Sequence, residues 1–201
     1  HFLQPGSHLL QPGVEARLHS AHRNLQDFSD FGEGQLFVLF HYDHLPHLGW
    51  QRMQRLSHHL RALIALQCVG AAQASLDEAW AYTQEREAFG KPLAQFQAVS
   101  HQLAEVATEI EAARLLVWQS AWLHDQGQRA ALQSSFGKRF AADMVMKVTT
   151  DAVQVFGGYG YIKEYPVEKL MRDAKLFQIY EGTSQIQRLV IAKEIFLPSD
   201  A

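Results

Sequence analysis

The stretch FQAVSHQLAEVATEIEAARLLV, residues 96–117, decides the fold through the spacing of its apolar side chains. These side chains recur at alternating steps of three and four, at Phe96, Val99, Leu103, Val106, Ile110, Ala113 and Val117. Such spacing lines up residues along one face of an α-helix, as in helices that pack lengthwise in a bundle. Full burial of each large side chain would contribute roughly 1.5–3 kcal/mol to stability. The stretch therefore predicts a long helix in an all-α bundle.

Similar apolar patterns predict two more long helices, one on each side of this stretch. The first runs from residue 51 to about 87, and the third from about 129 to 156. Turns that contain glycine separate them, at FGKP (residues 89–92) and HDQGQ (residues 124–128). The residues expected on the inward faces are Leu56, Leu60, Leu63, Ile64, Ala71, Ala72, Leu76, Ala79 and Trp80 in the first helix, and Leu132, Phe136, Phe140, Met144, Val148, Ala152 and Val155 in the third.

Two shorter helices follow a glycine-rich break, GGYGY, at residues 157–161. Pro166 is expected as the first residue of one of them, because proline is well tolerated at that position. The last helix is predicted from about residue 185 to 196. Thr183 or Ser184 can serve as its N-cap, since a hydroxyl oxygen there accepts a hydrogen bond from a backbone N–H of the first turn.

The fold class that these patterns predict is all-α, a four- to five-helix up-and-down bundle over residues 51–197. Residues 1–50 differ, since HFLQPGS and HLLQPGV form a near-repeat whose Pro-Gly pairs indicate turns. We expect an irregular N-terminal segment there. His41, His44 and His47 recur at every third position of it, but a proline interrupts any helix that would align them, and no metal site is expected.

The composition indicates a globular protein. Of the 201 residues, 47% are hydrophobic and 19% charged, which argues against disorder. The formal net charge is -3 without a long basic run, so nucleic acid is not expected as a partner. No apolar run is long enough to span a bilayer, and no signal or transit peptide is visible. The single cysteine, Cys68, fits a reducing compartment, so we expect the cytoplasm or, in a eukaryote, the mitochondrial matrix.

The segment QIYEGTSQIQRL, residues 178–189, places one carboxylate between an aromatic residue and a glycine. This acid, Glu181, stands just before the last predicted helix. A carboxylate that an apolar ligand displaces from water becomes a stronger base, and Gly182 leaves the adjacent backbone open to close approach. The alternative is a solvated acid that interacts favourably with the helix dipole.

Several motifs, in order along the chain, resemble one enzyme family. VGAAQASLDEA (69–79), REAFGKPLAQFQAV (86–99) and DAVQVFGGYGYIKEYPVEKLMRDAKLFQIYEGTSQIQR (151–188) are similar to the C-terminal half of acyl-CoA dehydrogenases. The similarity extends over about residues 51–196. It implies the helical bundle of that family and the FAD-dependent α,β-dehydrogenation of an acyl-CoA thioester.

The resemblance implies the residues that act on the substrate. Glu181 matches the base that removes the α-proton, while the β-hydrogen leaves as hydride to the flavin. Gly182 is implied beside the thioester, where a backbone N–H can meet the oxygen as enolate charge develops. Arg61 matches an arginine of the first bundle helix near the CoA moiety.

The resemblance also implies the residues that bind FAD. Arg86 matches an arginine at the FAD diphosphate, where a guanidinium can pair two anionic oxygens. Phe96 and Gln97 match a cofactor-contact pair, although Phe96 also belongs to the apolar face of its helix. Thr183 and Gln185 resemble residues beside the base that contact the flavin. A further segment matches one that touches the FAD of a neighbouring subunit, and it consists of Gln154, Val155, Phe156, Gly157 and Gly158.

The family also implies partners and missing parts. Its members pass electrons to an electron-transfer flavoprotein or a similar acceptor, and a homodimer or homotetramer is expected. They also have an N-terminal helical domain and a middle β-domain, neither of which is legible here. Residues 1–50 are therefore expected to be a remnant of the middle domain, and the chain a partial one.

Two other functions fit the same residues. A catalytically inactive module derived from the family would keep the bundle for oligomerisation, and a relative of the acyl-CoA oxidases or nitroalkane oxidases would use oxygen. Structural alternatives exist for single residues as well. Gly157 and Gly158 can form a helix C-cap, Thr183 can be only an N-cap, and Arg61 can be a solvated surface residue.

Overall fold

The computed structural model describes residues 50–197, with side chains from residue 56 onward, and confirms the all-α prediction. The helices are α1 (Trp50–Glu85), α2 (Gln97–Asp125), α3 (Ala131–Phe156), α4 (Val167–Phe177) and α5 (Ser184–Phe196). A hairpin of β1 (Glu87–Ala88) and β2 (Lys91–Pro92) and two 3₁₀ turns, Leu93–Gln95 and Gly157–Tyr161, lie between them. Apart from Trp50, the segment expected to be irregular, residues 1–50, lies outside the described residues, and its assignment stays a prediction.

The third helix, α3, lies at the centre of the bundle. It packs against α1, α2, α4 and α5. Its buried residues include Ala141, Ala142 and Val145, which share one core with Cys68 of α1 and Ile110 of α2. Small residues such as Ala141 and Ala142 let helix backbones approach closely around the middle of α3. No helix within residues 50–197 is long and apolar enough to cross a membrane.

The predicted apolar face of α2 is confirmed over most of its length. Val106, Ile110, Ala113 and Val117 are buried, whereas the residues nearer the start of the helix are partly exposed. Helix α2 therefore packs lengthwise against its neighbours, as the alternating spacing predicts.

Two residues of the predicted α1 face are exposed instead of buried. Leu63 is 55% exposed and Trp80 is 59% exposed. Each adjoins a buried residue in sequence, Ile64 or Ala79, and one residue corresponds to a rotation of about 100° around an α-helix. The buried stripe is therefore narrower than the sequence pattern predicted.

The FGKP turn forms a β-hairpin that the sequence analysis did not predict. Glu87 pairs with Pro92 and Ala88 with Lys91 in antiparallel register. The two residues at the tip, Phe89 and Gly90, both have positive φ, 52° and 79°, as a type I′ turn requires. The hairpin returns the chain toward α1, so that the N–H of Leu93 donates to the carbonyl of Arg86 at 2.9 Å.

The short helices begin close to the predicted positions. Pro166 precedes α4 as its N-cap instead of being its first helical residue. Thr183 caps α5, because its Oγ1 accepts a hydrogen bond from the N–H of Ile186 at 3.2 Å. The N-cap expected from the sequence is therefore confirmed at Thr183.

Candidate active site

The candidate base lies in a short segment between α4 and α5, residues 178–183, which we call the connector. Two consecutive connector residues have a left-handed backbone, Glu181 with φ 51° and Gly182 with φ 85°. That conformation costs a non-glycine residue about 1–2 kcal/mol. Contacts from the surrounding helices must therefore hold Glu181 in place.

A buried lysine of α3 binds both ends of the connector. Lys138 is fully buried, and its Nζ donates to the carbonyl of Phe177 at 2.8 Å and to that of Gly182 at 2.7 Å. Burial lowers the pKa of Lys138 from its ordinary value, while the negative charges of Asp143 and Glu181 act against that shift. The ammonium group thus joins the end of α4 to the residue that follows the candidate base.

A carboxylate about one and a half turns further along α3 accepts hydrogen bonds from the connector and from α5. Asp143 Oδ1 accepts hydrogen bonds from Gln178 Nε2 at 2.9 Å and from Ser184 Oγ at 3.0 Å. Its Oδ2 accepts one from Arg188 of α5 at 2.9 Å. Asp143 therefore links both ends of the connector to α3.

A glutamine of α5 completes the contacts to the connector backbone. Gln187 is fully buried, and its Nε2 donates to the carbonyl of Gly182 at 3.1 Å and to that of Glu181 at 3.4 Å. A Cβ atom at Gly182 would lie 2.6 Å from this Nε2. A side chain at residue 182 would therefore displace Nε2 of Gln187 from these two carbonyls, and the positive φ also favours glycine there.

The side chain of Glu181 is half-buried. Among the described residues, no donor forms a hydrogen bond or ion pair with its carboxylate. The preceding Tyr180 packs against the core, and its hydroxyl donates to Gln67 Oε1 at 3.0 Å. Hydrogen bonds therefore hold the residues next to Glu181, whereas none from the part of the chain that the structure describes reaches its carboxylate.

Three other predicted site residues lie on the connector side of the bundle. Arg61 of α1 donates to Ser135 Oγ at 3.2 Å, and its charge acts on Lys138. Thr183 uses its hydroxyl to cap α5, and Gln185 is exposed in the first turn of that helix. Glu181, Gly182, Thr183 and Gln185 thus adjoin one another, and Arg61 binds α3 within about one turn of Lys138.

A second group of predicted residues lines a shallow pocket at the C-terminal end of α3. The pocket has a volume of about 450 Å³, and its lining includes Arg86, Val155, Phe156, Gly157 and Gly158. The guanidinium carbon of Arg86 lies 5.6 Å from the centre of the Tyr159 ring. A Cβ atom at Gly157 or Gly158 would meet nothing within 4 Å, so the backbone there faces open space.

Aromatic stacking supports the floor of this pocket. The rings of Tyr82 and Phe156 are stacked with their centres 4.1 Å apart, and Tyr165 meets Phe156 edge-on at 5.4 Å. Such pairs contribute about 0.5–1.5 kcal/mol beyond their buried area. Val167, which is fully buried, belongs to the same cluster.

The structure does not bring the two groups together. Asp143, beside the connector, and Phe156, in the pocket, lie about 20 Å apart along α3, at a rise of 1.5 Å per residue. Gln154 is exposed in the last turn of α3, and Gln97 is exposed at the start of α2. Within one chain, the residues predicted to bind the cofactor therefore lie at separate places.

Lys138, Asp143 and Gln187 were not predicted from the sequence as site residues. For Lys138 a signal was present, since this charged residue lies among small residues, Ser134 and Ala141, on one face of α3. Within residues 50–197, no group of three or more His, Cys, Asp or Glu is arranged to hold a metal ion. His41, His44 and His47 lie outside the described residues.

Comparison with known proteins agrees with this architecture. The model of the acyl-CoA dehydrogenase C-terminal domain matches residues 47–196. Cyclohexane-1-carbonyl-CoA dehydrogenase of Geobacter metallireducens is 52% identical over 67% of this chain and 36% of its own length.

Solved structures agree as well. Butyryl-CoA dehydrogenase of Megasphaera elsdenii is 44% identical, with a TM-score of 0.71 over 73% of this chain and 38% of the other. A chain from work on the electron-transferring flavoprotein of Acidaminococcus fermentans is 43% identical, with a TM-score of 0.72 over 74% and 39% of the two chains. The present chain thus spans just over a third of the length of these relatives, and it belongs to the acyl-CoA dehydrogenase family, whose C-terminal helical domain it matches.

Proposed function

We propose that this chain is part of an FAD-dependent acyl-CoA dehydrogenase, in which Glu181 removes the α-proton of an acyl-CoA thioester. The observation that carries the proposal is a contrast at Glu181 between the backbone, which is held by hydrogen bonds, and the carboxylate, which is not. Lys138 donates a hydrogen bond to the backbone carbonyl of Gly182 and Gln187 donates one to that of Glu181, while no hydrogen bond from the described residues engages the carboxylate. A base needs a fixed position and a free proton-accepting oxygen.

The reaction divides between this chain and its cofactor. The α C–H bond breaks, its proton passes to the Glu181 carboxylate, and a C=C bond forms as the β-hydrogen leaves as hydride. FAD, when bound, would accept that hydride and so supply the redox chemistry. Gly182 leaves the connector backbone accessible, so that an N–H can stabilise the developing negative charge on the thioester oxygen. Arg61, on the same side of the bundle, would contribute to binding the CoA moiety.

The residues of the pocket fit part of an FAD molecule. The guanidinium of Arg86 rests over an aromatic ring, and it can pair with the diphosphate. The open backbone at Gly157 and Gly158 permits close approach of the dinucleotide. Gln154, Val155 and Phe156 would belong to this contact, whereas Gln97, Thr183 and Gln185 would contact the cofactor elsewhere.

The separation of the two groups supports an assembly of several chains. Because the pocket lies about 20 Å along α3 from the connector, each group can contact a different FAD molecule. A homodimer or homotetramer, in which Gln154 to Gly158 contact the FAD of a neighbouring subunit, accounts for both groups. The acceptor for the electrons would be an electron-transfer flavoprotein or a similar protein, and the buried Cys68 fits a reducing compartment.

A specific observation favours a second candidate, a helical oligomerisation module without activity. Exposed apolar residues are frequent on the bundle surface, with Leu189 67% and Phe196 78% exposed on α5. Leu115 and Trp122 of α2 are also exposed and lie two turns apart on one helix face. Such surfaces are typical of protein–protein contacts.

The visible spectrum of the purified chain with added FAD separates these candidates. For the dehydrogenase we expect a bound flavin whose absorbance decreases when butyryl-CoA is added without oxygen. Glu181→Gln should retain flavin and lose the decrease, whereas Glu164→Gln, which changes an exposed acid, should behave as the unmutated chain. A stable oligomer that binds no flavin would favour the oligomerisation module. Bleaching in Glu181→Gln at the unmutated rate would remove Glu181 from the mechanism.

A further inference from the structure

The ammonium group of Lys138 occupies an unusual place for a lysine. Lysine is almost never fully buried unless it is paired, yet this side chain is completely shielded from solvent in the middle of α3. Its hydrogen-bond acceptors are two backbone carbonyls, that of Phe177 at the end of α4 at 2.8 Å and that of Gly182 in the connector at 2.7 Å. Removing a charge from water is costly, so a packing role alone does not account for an ammonium group at this position.

The two acceptors enclose the candidate base. Phe177 is the last residue of α4, where helix carbonyls lack partners within the helix and a positive charge is favourable. Gly182 directly follows Glu181. Lys138 thus fixes the chain on both sides of a residue whose backbone is left-handed.

We propose that Lys138 is a positioning residue for Glu181: its ammonium group holds the connector in the one backbone conformation that presents the carboxylate to the substrate. This inference rests on the proposed function of Glu181. Lys138 itself does not touch the substrate or the cofactor. Its contribution is geometric, and misplacement of a catalytic group by even about 1 Å can reduce a rate on the order of a hundredfold.

The variant that tests this role is Lys138→Met, which keeps an unbranched side chain and removes the ammonium group. Lys147→Met is the matched control, since Lys147 lies on the same helix but is exposed and pairs with Glu109. The first measurement is amide hydrogen exchange. In Lys138→Met we expect exchange on the order of tenfold faster at Ser184, whose N–H donates to the carbonyl of Gln178 at 3.0 Å, with no change in α2.

The second measurement is exchange of the α-proton of butyryl-CoA with deuterium in ²H₂O, followed by NMR, with FAD present. In Lys138→Met we expect the rate at saturating substrate to fall about tenfold or more, while the KM stays within about twofold. If Lys138 only fills the core, its substitution should change the exchange rate and the KM together, in step with overall stability, or change neither. Unchanged amide exchange in the connector together with an unchanged α-proton exchange rate would overturn the proposal.

A measurement on the unmutated chain decides the question if Lys138→Met does not fold. The ¹⁵N resonance of the Lys138 ammonium should show couplings across hydrogen bonds to the carbonyl carbons of Phe177 and Gly182. Absence of both couplings would overturn the proposal. If the unmutated chain shows the couplings but exchanges no α-protons, the proposed function has failed while the link between Lys138 and the connector stands.

Discussion

The carboxylate of Asp143 and the hydroxyl of Ser184 join the middle of α3 to the first residue of α5, with Ser184 Oγ donating to Asp143 Oδ1 at 3.0 Å. The same oxygen accepts from Gln178, so one carboxylate binds both ends of the connector. The position of Glu181 therefore depends on α3 as much as on its neighbours in sequence.

Replacement of Asp143 by alanine should destabilise the fold. Three hydrogen-bond donors, on Gln178, Ser184 and Arg188, would lose their acceptor. We expect the free energy of unfolding in urea to fall by about 2–4 kcal/mol, since bonds to a charged group each contribute about 1.5–3 kcal/mol and do not add fully. Glu164→Ala is the control, and an equal effect of the two substitutions would contradict the role of Asp143.

Two glycines with positive φ allow the space at Gly182 to be tested separately from its backbone conformation. Gly127 and Gly182 have φ of 68° and 85°, but a Cβ at Gly127 meets nothing within 4 Å, whereas one at Gly182 meets Gln187. Gly127→Ala should cost about 1–2 kcal/mol for the conformation alone. Gly182→Ala should cost about 1–2 kcal/mol more, because Gln187 loses hydrogen bonds to two carbonyls. Equal losses in urea unfolding would show that Gln187 does not constrain the connector.

The stability of the bundle should decrease in mild acid because of His58. Burial lowers the pKa of His58 to about 4, and the charges of Arg61 and His124 act in the same direction. The unfolded chain, with an ordinary value of about 6.5, binds more protons in this range. The free energy of unfolding therefore falls as the pH decreases from about 6.5 to about 4.

Substitution of His58 by glutamine should remove part of this pH dependence. At a pH of about 4.5 we expect the loss of stability relative to neutral pH to be smaller by about 1–2 kcal/mol in His58→Gln. His101→Gln, an exposed histidine of α2, should leave the pH profile unchanged. If the free energy of unfolding falls equally with pH in His58→Gln and in the unmutated chain, His58 is readily protonated in the folded state.

The pocket beside Tyr159 should contribute to FAD affinity through Arg86. Arg86→Gln removes the positive charge proposed to pair with the diphosphate, and we expect the Kd for FAD to rise by about tenfold or more. Fluorescence titration of FAD measures this change, with Arg172→Gln, an exposed arginine of α4, as the control. An unchanged Kd for FAD in Arg86→Gln would show that Arg86 does not bind the diphosphate.

The helices follow from local rules, and so they were predictable. The spacing of Val106, Ile110, Ala113 and Val117 predicted a face that is buried in the structure, since a period of 3.6 residues needs only neighbouring positions. The cap at Thr183 was predictable for the same reason, because its partner is three residues away. The exposure of Leu63 and Trp80 was not predicted, since the width of a buried stripe depends on which helices pack there.

The contacts around Glu181 depend on residues far apart in sequence, and so they were not predictable. Lys138 lies 39 residues before one of its acceptors and 44 before the other. Residue type alone predicts that a lysine is exposed, and only the packed bundle reveals the carbonyls that bind it. The resemblance of QIYEGTSQIQRL (residues 178–189) to the family predicted Glu181 as the base, but it did not predict the residues that hold the connector.

Exchange of the α-proton of butyryl-CoA in ²H₂O tests the proposed role of Glu181 as the base most directly, because this measurement reports proton removal apart from net oxidation. With FAD bound, the unmutated chain and Glu164→Gln should incorporate deuterium at the α-carbon, and Glu181→Gln should reduce the rate by at least about a hundredfold. Deuterium incorporation by Glu181→Gln at the rate of the unmutated chain would contradict the claim.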